Sequence, residues 1–263
     1  YWFIKKSIWK KFITFKHNGK ESDNAIDKVF NKKRADDRKD WLGDYDANQY
    51  LDTNKPEVEF NEFIDKEMIH FSKYDNDRSI PNIMDGLKLS LRKILFSVFK
   101  RNLTKEIKVA QLSGYVSEHS GYHHGEASLN GAIVGMAQTF VGSNNINLLR
   151  PNGQFGTRLA GGKDSASERY IFTQMEKITR LLYHQDDDCI LNYKDDDGQP
   201  VEPVYYAPII PMILVNGTKG IGTGFSSDVL SYNPKDIISC LKTRLNLPKE
   251  EQATFDIDNW GNE

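Results

Sequence analysis

Cysteine is nearly absent from this chain of 263 residues: only Cys189 and Cys240 occur. Two thiols make neither a disulfide framework nor a zinc site, and they fit a reducing compartment. Long apolar runs are missing too. No stretch approaches the roughly 20 residues that a membrane helix needs. Nothing reads as a signal peptide, since Lys5, Lys6, Lys10 and Lys11 interrupt the apolar start Tyr1-Trp2-Phe3-Ile4. Internal repeats are absent, and the only biased tracts are two short Asp runs. Excess charge is also lacking. The 35 basic and 37 acidic residues leave a net −2, whereas nucleic-acid binders usually read basic.

The total conceals segregation. Residues 78–185 carry 14 basic and 7 acidic side chains, a net of +7. The stretch before them, 41–77, nets −7, and the stretch after, 186–203, nets −6. Residues 1–40 net +6 and 204–263 net −2. An anionic partner is therefore to be sought at 78–185. At 38% hydrophobic and 11% aromatic, there is material for a core, and the length suggests one or two domains. The first residue is Tyr and not Met, so the expectation is a slice of a longer protein.

Residues 1–40 read as partly helical and amphipathic, Gly43 to Pro56 as a linker, and Phe60 to Phe71 as a short helix. In the basic block, Leu87, Leu91, Ile94, Leu95 and Val98 form one stripe of a helix expected over 84–101. Lys88, Arg92 and Lys93 project largely off that stripe. A second helix is expected from Val109 to Glu118 and a third from Gly125 to Phe140, with Gly121 between them. Three helices in this order suggest a helix-turn-helix. Gly153, Gly156, Gly161 and Gly162 then mark a turn-rich loop, as a wing needs. Ile171, Met175, Ile178 and Leu182 follow helical spacing. Asp186–Asp188 and Asp195–Asp197 flank a turn at Gly198. From Val204 to Val215 the texture reads as short strands, with a domain change near 190–203. The fold class is thus mixed α+β: a mainly α winged-helix domain followed by the start of an α/β domain.

Several motifs invite chemistry. Gly156 to Asp164 (GTRLAGGKD) resembles a P-loop but lacks the first glycine at the required spacing, and Asp164 stands where Ser or Thr is needed. Gly220-Ile221-Gly222-Thr223-Gly224 is not a dinucleotide fingerprint. His123-His124 is a poor metal site, because adjacent histidines rarely reach one ion and no ligand cluster lies nearby. The pair reads either as a cap at a helix start or as imidazoles facing phosphate there; the +7 block favours the second. Ile221, flanked by glycines, is either a core plug or a protruding wedge of the kind that kinks DNA. The plug is the commoner case. Arg169-Tyr170 is suggestive only through the guanidinium, which can hold phosphate bidentately. A phenol has a pKa near 10, so attack on phosphate requires cations or a base nearby.

Taken in order, the motifs resemble the eukaryotic-type DNA topoisomerase II family. Arg78-Ser79-Ile80-Pro81 and Met84-Asp85-Gly86-Leu87-Lys88 carry the resemblance first, then Lys108 to Leu112 and Tyr122-His123-His124-Gly125-Glu126. Phe140 to Asn145, Gly153 to Arg158, Gly161 to Ala166, Arg169-Tyr170-Ile171, Pro211-Met212 and Asn216-Gly217 with the Gly220–Gly224 run continue it. Even Lys32 to Leu42 is similar to the segment just past that family's metal-binding domain. Two departures stand out. Leu89-Ser90-Leu91-Arg92-Lys93 stands where the family commonly has Pro-Gly before Gln-Arg-Lys, and Lys219 stands where an acidic residue is usual.

The resemblance implies roles. Tyr170 matches the nucleophile that forms a 5′-phosphotyrosyl bond, Arg169 its phosphate-binding neighbour and His124 the histidine supporting the transition state. Arg78 and Lys88 match basic residues at the scissile region, and Ile221 matches the intercalating isoleucine. His123, Lys93, Arg158 and Lys163 are further candidates for contact with DNA. The implied domains are the end of a TOPRIM-like metal-binding domain with its linker at 1–66, a winged helix at 67–190 and the start of a tower domain at 191–263. The implied enzyme is a nuclear, ATP-hydrolysing homodimer acting on double-stranded DNA with Mg2+. Its metal ligands and ATP site are expected upstream, with no metal ligand in this chain. The rival reading is a non-catalytic winged-helix module that binds and bends DNA.

Overall fold

The computed structural model describes residues 13–252 and divides the chain into two compact units. The first comprises the residues up to Ile80 together with Gly220–Ser227, and the second Pro81–Lys219 with the residues from Asp228 onward. The boundary thus falls at Pro81 and not at residue 66, and no break occurs near 190. The expectation for residues 1–12 lies outside the described residues.

In the first unit, β1 (Thr14–Lys16) pairs in parallel with β2 (Glu57–Glu59). Helix α1 (Gly19–Phe30) and helix α2 (Ala35–Gly43) fill part of the connection. Helix α3 (Phe60–Phe63), a π-helical turn (Ile64–Met68) and helix α4 (Ile69–Ser79) then follow without interruption. This is longer than the helix expected to stop near Phe71. Ala25, Trp41, Leu42, Ile64 and Ile69 form the core. Arg34 bridges Asp27 and Asp37 outside it.

The second unit is a helix-turn-helix with a wing. Helix α5 (Leu89–Lys100) begins five residues later than the expected 84. The delay has a cause. Asp85, buried, accepts from the Leu87 N–H at 2.9 Å, and Gly86 N–H donates to the Asn82 carbonyl at 2.7 Å, so residues 82–87 close a tight turn. Helix α6 (Val109–Ser120) starts as expected and ends at Gly121, whose φ of +58° terminates it in the left-handed region. Helix α7 (Glu126–Ala137) stops before Gln138, short of Phe140.

Strand β3 (Ile107–Lys108), β4 (Leu149–Asn152) and β5 (Phe172–Met175) make an antiparallel sheet in the order β3-β5-β4. The helix read across 171–182 is therefore a strand followed by the short helix α8 (Thr179–Leu182). Pairing with β4, in register from Leu149↔Met175 to Asn152↔Phe172, overrides the helical spacing. A 3-10 turn (Gln185–Cys189) leads to the hairpin β6 (Tyr193–Asp196) and β7 (Gln199–Pro203), which turns at Asp197-Gly198 as expected.

The strands expected over 204–215 are not formed. Residues 204–211 are irregular, and helix α9 (Met212–Asn216) follows Pro211. Pro208 and Pro211 cannot donate to a ladder, which disfavours a central strand here. Strand β8 (Thr218–Ile221) pairs with β9 (Ser226–Val229), and helix α10 (Pro234–Asn246) and helix α11 (Lys249–Gln252) follow. The core gathers Leu95, Val98, Leu112, Leu129, Ile133 and Leu149, each fully buried. Burying such side chains contributes about 1.5–3 kcal/mol each.

Candidate active site

The loop before β5 presents Arg169 and Tyr170. Its attachment is physical and specific. The first N–H groups of a helix have no partner within the helix, and the N-cap of α6, Lys108, offers no side-chain bond. Instead Val109 N–H donates to the Ile171 carbonyl at 3.0 Å and Ala110 N–H to the Glu168 carbonyl at 3.1 Å. These two carbonyls bracket Arg169-Tyr170. On one side Ile171 is 1% exposed and anchors in the core, while Tyr170 is 77% exposed. Among the described residues it is the most exposed tyrosine. Burial pushes the Tyr183 and Tyr206 hydroxyls far above the ordinary phenol range, which leaves those rings to the core. Arg169 also lines a cleft of about 430 Å³ with Glu168, Ala110, Glu126, Asn130 and Gln138.

The wing loop is equally defined. Asp164 accepts from Thr157 N–H at 2.7 Å and Thr157 Oγ1 at 2.8 Å, and these bonds hold its carboxyl below the usual range. Gln138 at the end of α7 donates to the Phe155 carbonyl at 2.8 Å. Gly156, at φ +101°, lies so near Gly162 that a Cβ would come within 2.6 Å of its backbone. Arg158 and Lys163 are exposed on this loop.

His124 precedes Gly125, the N-cap of α7, and its ring meets Tyr122 edge-on at 5.4 Å. His123 is exposed, 3.6 Å from Asp196. Lys88 stands at the N-cap of α5, half-buried, directly after the turn that Asp85 closes. Arg92 and Lys93 correct the sequence reading. Arg92 donates from Nε to Asp85 at 2.7 Å, with both side chains at most 4% exposed. Lys93, expected among the cations facing DNA, pairs instead with buried Glu202 at 2.7 Å. Its ammonium is enclosed and committed.

The first unit holds the other two candidates. Asn76 grips the glycine-rich turn, donating to the Thr223 carbonyl at 3.0 Å and accepting from Thr223 N–H at 2.7 Å. Ile221 sits on that turn at 72% exposure, so the core-plug reading does not hold. Arg78 is exposed in the last turn of α4, two residues after Asn76. Sequence reasoning passed over Asn76, whose signal was only its place before Arg78. The positive charge noted at Lys219 is matched by Asp228 at 2.7 Å, which raises the lysine pKa. No group of His, Cys, Asp or Glu able to hold a metal occurs among the described residues, and no helix there is long and apolar enough to cross a membrane.

A winged helix that hangs an exposed Arg-Tyr pair from a helix start defines the class: a winged-helix unit with a displayed tyrosine. The comparisons with known proteins narrow it. Residues 78–259 match the family model of the DNA gyrase/topoisomerase IV A subunit, and residues 4–76 that of the C-terminal associated domain of TOPRIM. The chain belongs to the DNA topoisomerase II family. It is 55% identical over 226 residues to DNA topoisomerase 2 of Arabidopsis thaliana, covering 86% of this chain and 15% of that protein. A probable DNA topoisomerase 2 of Dictyostelium discoideum is 56% identical over 235 residues, covering 89% and 15%. The chain thus spans about 15% of the length of these relatives. Among solved structures, the DNA-binding, cleavage and re-ligation domain of Plasmodium falciparum topoisomerase II matches with a TM-score of 0.77 at 53% identity, covering 88% of this chain and 32% of that one.

Proposed function

We propose that this chain is part of the breakage-reunion core of a type IIA DNA topoisomerase, with Tyr170 as its nucleophile. The Tyr170 hydroxyl oxygen attacks a backbone phosphorus. A bond forms between that oxygen and phosphorus, the bond to the 3′ oxygen breaks, and the 3′ hydroxyl leaves with a proton. The strand's 5′ end is then held on the protein. The phosphoester is exchanged and not hydrolysed, so the reverse attack reseals the strand without a nucleotide. The observation that carries the reading is Tyr170, exposed beside Arg169 on a loop fixed at both ends to α6.

Negative charge accumulates on the phosphoryl oxygens during attack, and cations preorganised around it stabilise it. Arg169 and Lys88 supply such charge in the second unit, where His124 supports the transition state; Arg78, in the first unit, is a further basic residue for the DNA backbone. Arg158, Lys163 and His123 hold the duplex backbone, and Ile221 enters a base step and bends it. Magnesium would assist phosphoryl transfer if held by residues of the full-length protein other than the described ones. In the whole protein, a nuclear homodimer, ATP hydrolysis drives passage of a second duplex. The part up to Ile80 is the end of the metal-binding domain with its linker.

The test uses the full-length protein with duplex DNA and magnesium, denatured before electrophoresis. The expected result is a covalent DNA adduct that Tyr170→Phe abolishes while DNA binding persists. Adducts of undiminished yield in the Tyr170→Phe protein would sink the reading.

A further inference from the structure

We infer that the acidic β6–β7 hairpin is a positioning element for His124, acting through Lys93, Glu202 and Asp196; the inference rests on the role proposed above for that histidine. Two independent grips carry it. The first is buried. Lys93 on α5 donates to the carbonyl of Ser120, the last residue of α6, and to Glu202 Oε2 on β7 at 2.7 Å. Lys93 is 9% exposed and Glu202 is 1% exposed. One ammonium thus ties three elements together, four residues before His124.

The second grip comes from the hairpin's other end. Asp196 lies against Gly121 so closely that a Cβ there would sit 1.8 Å from Asp196 Oδ2. The same oxygen is 3.6 Å from His123 Nε2. Asp195 accepts from Gly198 N–H at 2.8 Å and closes the tip, which fixes where Asp196 points. Residues 120–123 are therefore held from both sides immediately before His124 and the start of α7.

Core stability alone does not account for this arrangement. A buried ion pair is often no better for stability than an apolar pair of the same volume, and its best-attested benefit is to fix one arrangement among several. The Asp run, which the proposed chemistry leaves unused, then has a task. Displacing a group that supports a transition state by even 1 Å is enough to slow a reaction about a hundredfold.

The experiment measures, in the full-length protein, the rate of adduct formation at saturating DNA, with DNA affinity and thermal midpoint measured separately. Two variants are used: Lys93→Met with Glu202→Leu, which removes the pair without stranding a charge, and Asp196→Asn at the solvent-facing end. Each is made with His124 intact and with His124→Ala. The expected result is a rate loss of about tenfold or more with affinity and midpoint retained, and no further loss once His124 is gone. Equal losses in both backgrounds, or full rates in both variants beside a slowed His124→Ala protein, overturn the inference alone. A His124→Ala protein that cleaves at the normal rate overturns the role of His124 and this inference with it.

Discussion

Asp85 and Arg92 show how little a single residue's charge reveals about its surroundings. Lys88, Arg92 and Lys93 all project largely off the apolar stripe, and spacing alone does not tell them apart. The structure separates them. Lys88 stays half-exposed at the helix start, whereas Arg92 and Lys93 find buried carboxylates on Asp85 and Glu202. Asp85 is only seven positions from Arg92, but periodicity could not show the partner of Lys93, since Glu202 arrives from a hairpin 109 positions away. Asp85 also accepts from the Tyr206 N–H at 3.0 Å, so its carboxylate organises the turn before Lys88. Arg92→Met strands that carboxylate in the core. It should cost about 3–5 kcal/mol in denaturant unfolding, as for other broken buried pairs. A loss under about 1 kcal/mol would mean that water reaches Asp85. The exposed Lys219–Asp228 pair should by contrast contribute almost nothing.

At the scale of elements, the three helices and the glycine-rich wing were legible because both rest on local signals: an apolar stripe and positive-φ glycines. The strand at Phe172–Met175 was not. Its apolar spacing fits a helix equally well, and only β3 and β4, distant in sequence, decide otherwise. Likewise the site tyrosine was selected by resemblance; the carbonyls that hang its loop from α6 have no sequence signature. The wing carries a pH expectation. Asp164 has its pKa lowered by the Thr157 bonds, so the loop's stabilisation is present above the ordinary value of 3.8 and is lost as pH falls through the lower folded value. Carbon-detected titration of Asp164 should give a midpoint below 3.8, and a midpoint at or above it would mean the loop is open. The turn bearing Ile221 gives another. Ile221→Ala should reduce DNA bending, read by energy transfer between end labels, with a smaller change in affinity. Unchanged bending would leave Ile221 as an exposed side chain without that task.

For the whole molecule, the net charge of −2 is an average over unlike parts. The +7 of residues 78–185 already counts the buried Arg92–Asp85 pair as neutral, and only Lys93, paired with Glu202 from outside the block, lowers the charge that is available. What remains exposed includes Arg158, Lys163 and Arg169, which lie on the tyrosine loop and the wing. The division at Pro81 agrees closely with the two matched family ranges, which part between residues 76 and 78. The charge changes sign close to it, from −7 over 41–77 to +7 over 78–185, although α4 runs on to Ser79 across that switch. The central claim is that Tyr170 takes the phosphate, and mass spectrometry tests it most directly. Full-length protein is trapped on DNA by denaturant, digested with nuclease and then with trypsin. The account predicts a nucleotide attached to the peptide Tyr170–Lys177, on the tyrosine. A nucleotide on any other peptide, with Tyr170–Lys177 recovered only in its free form, would contradict it.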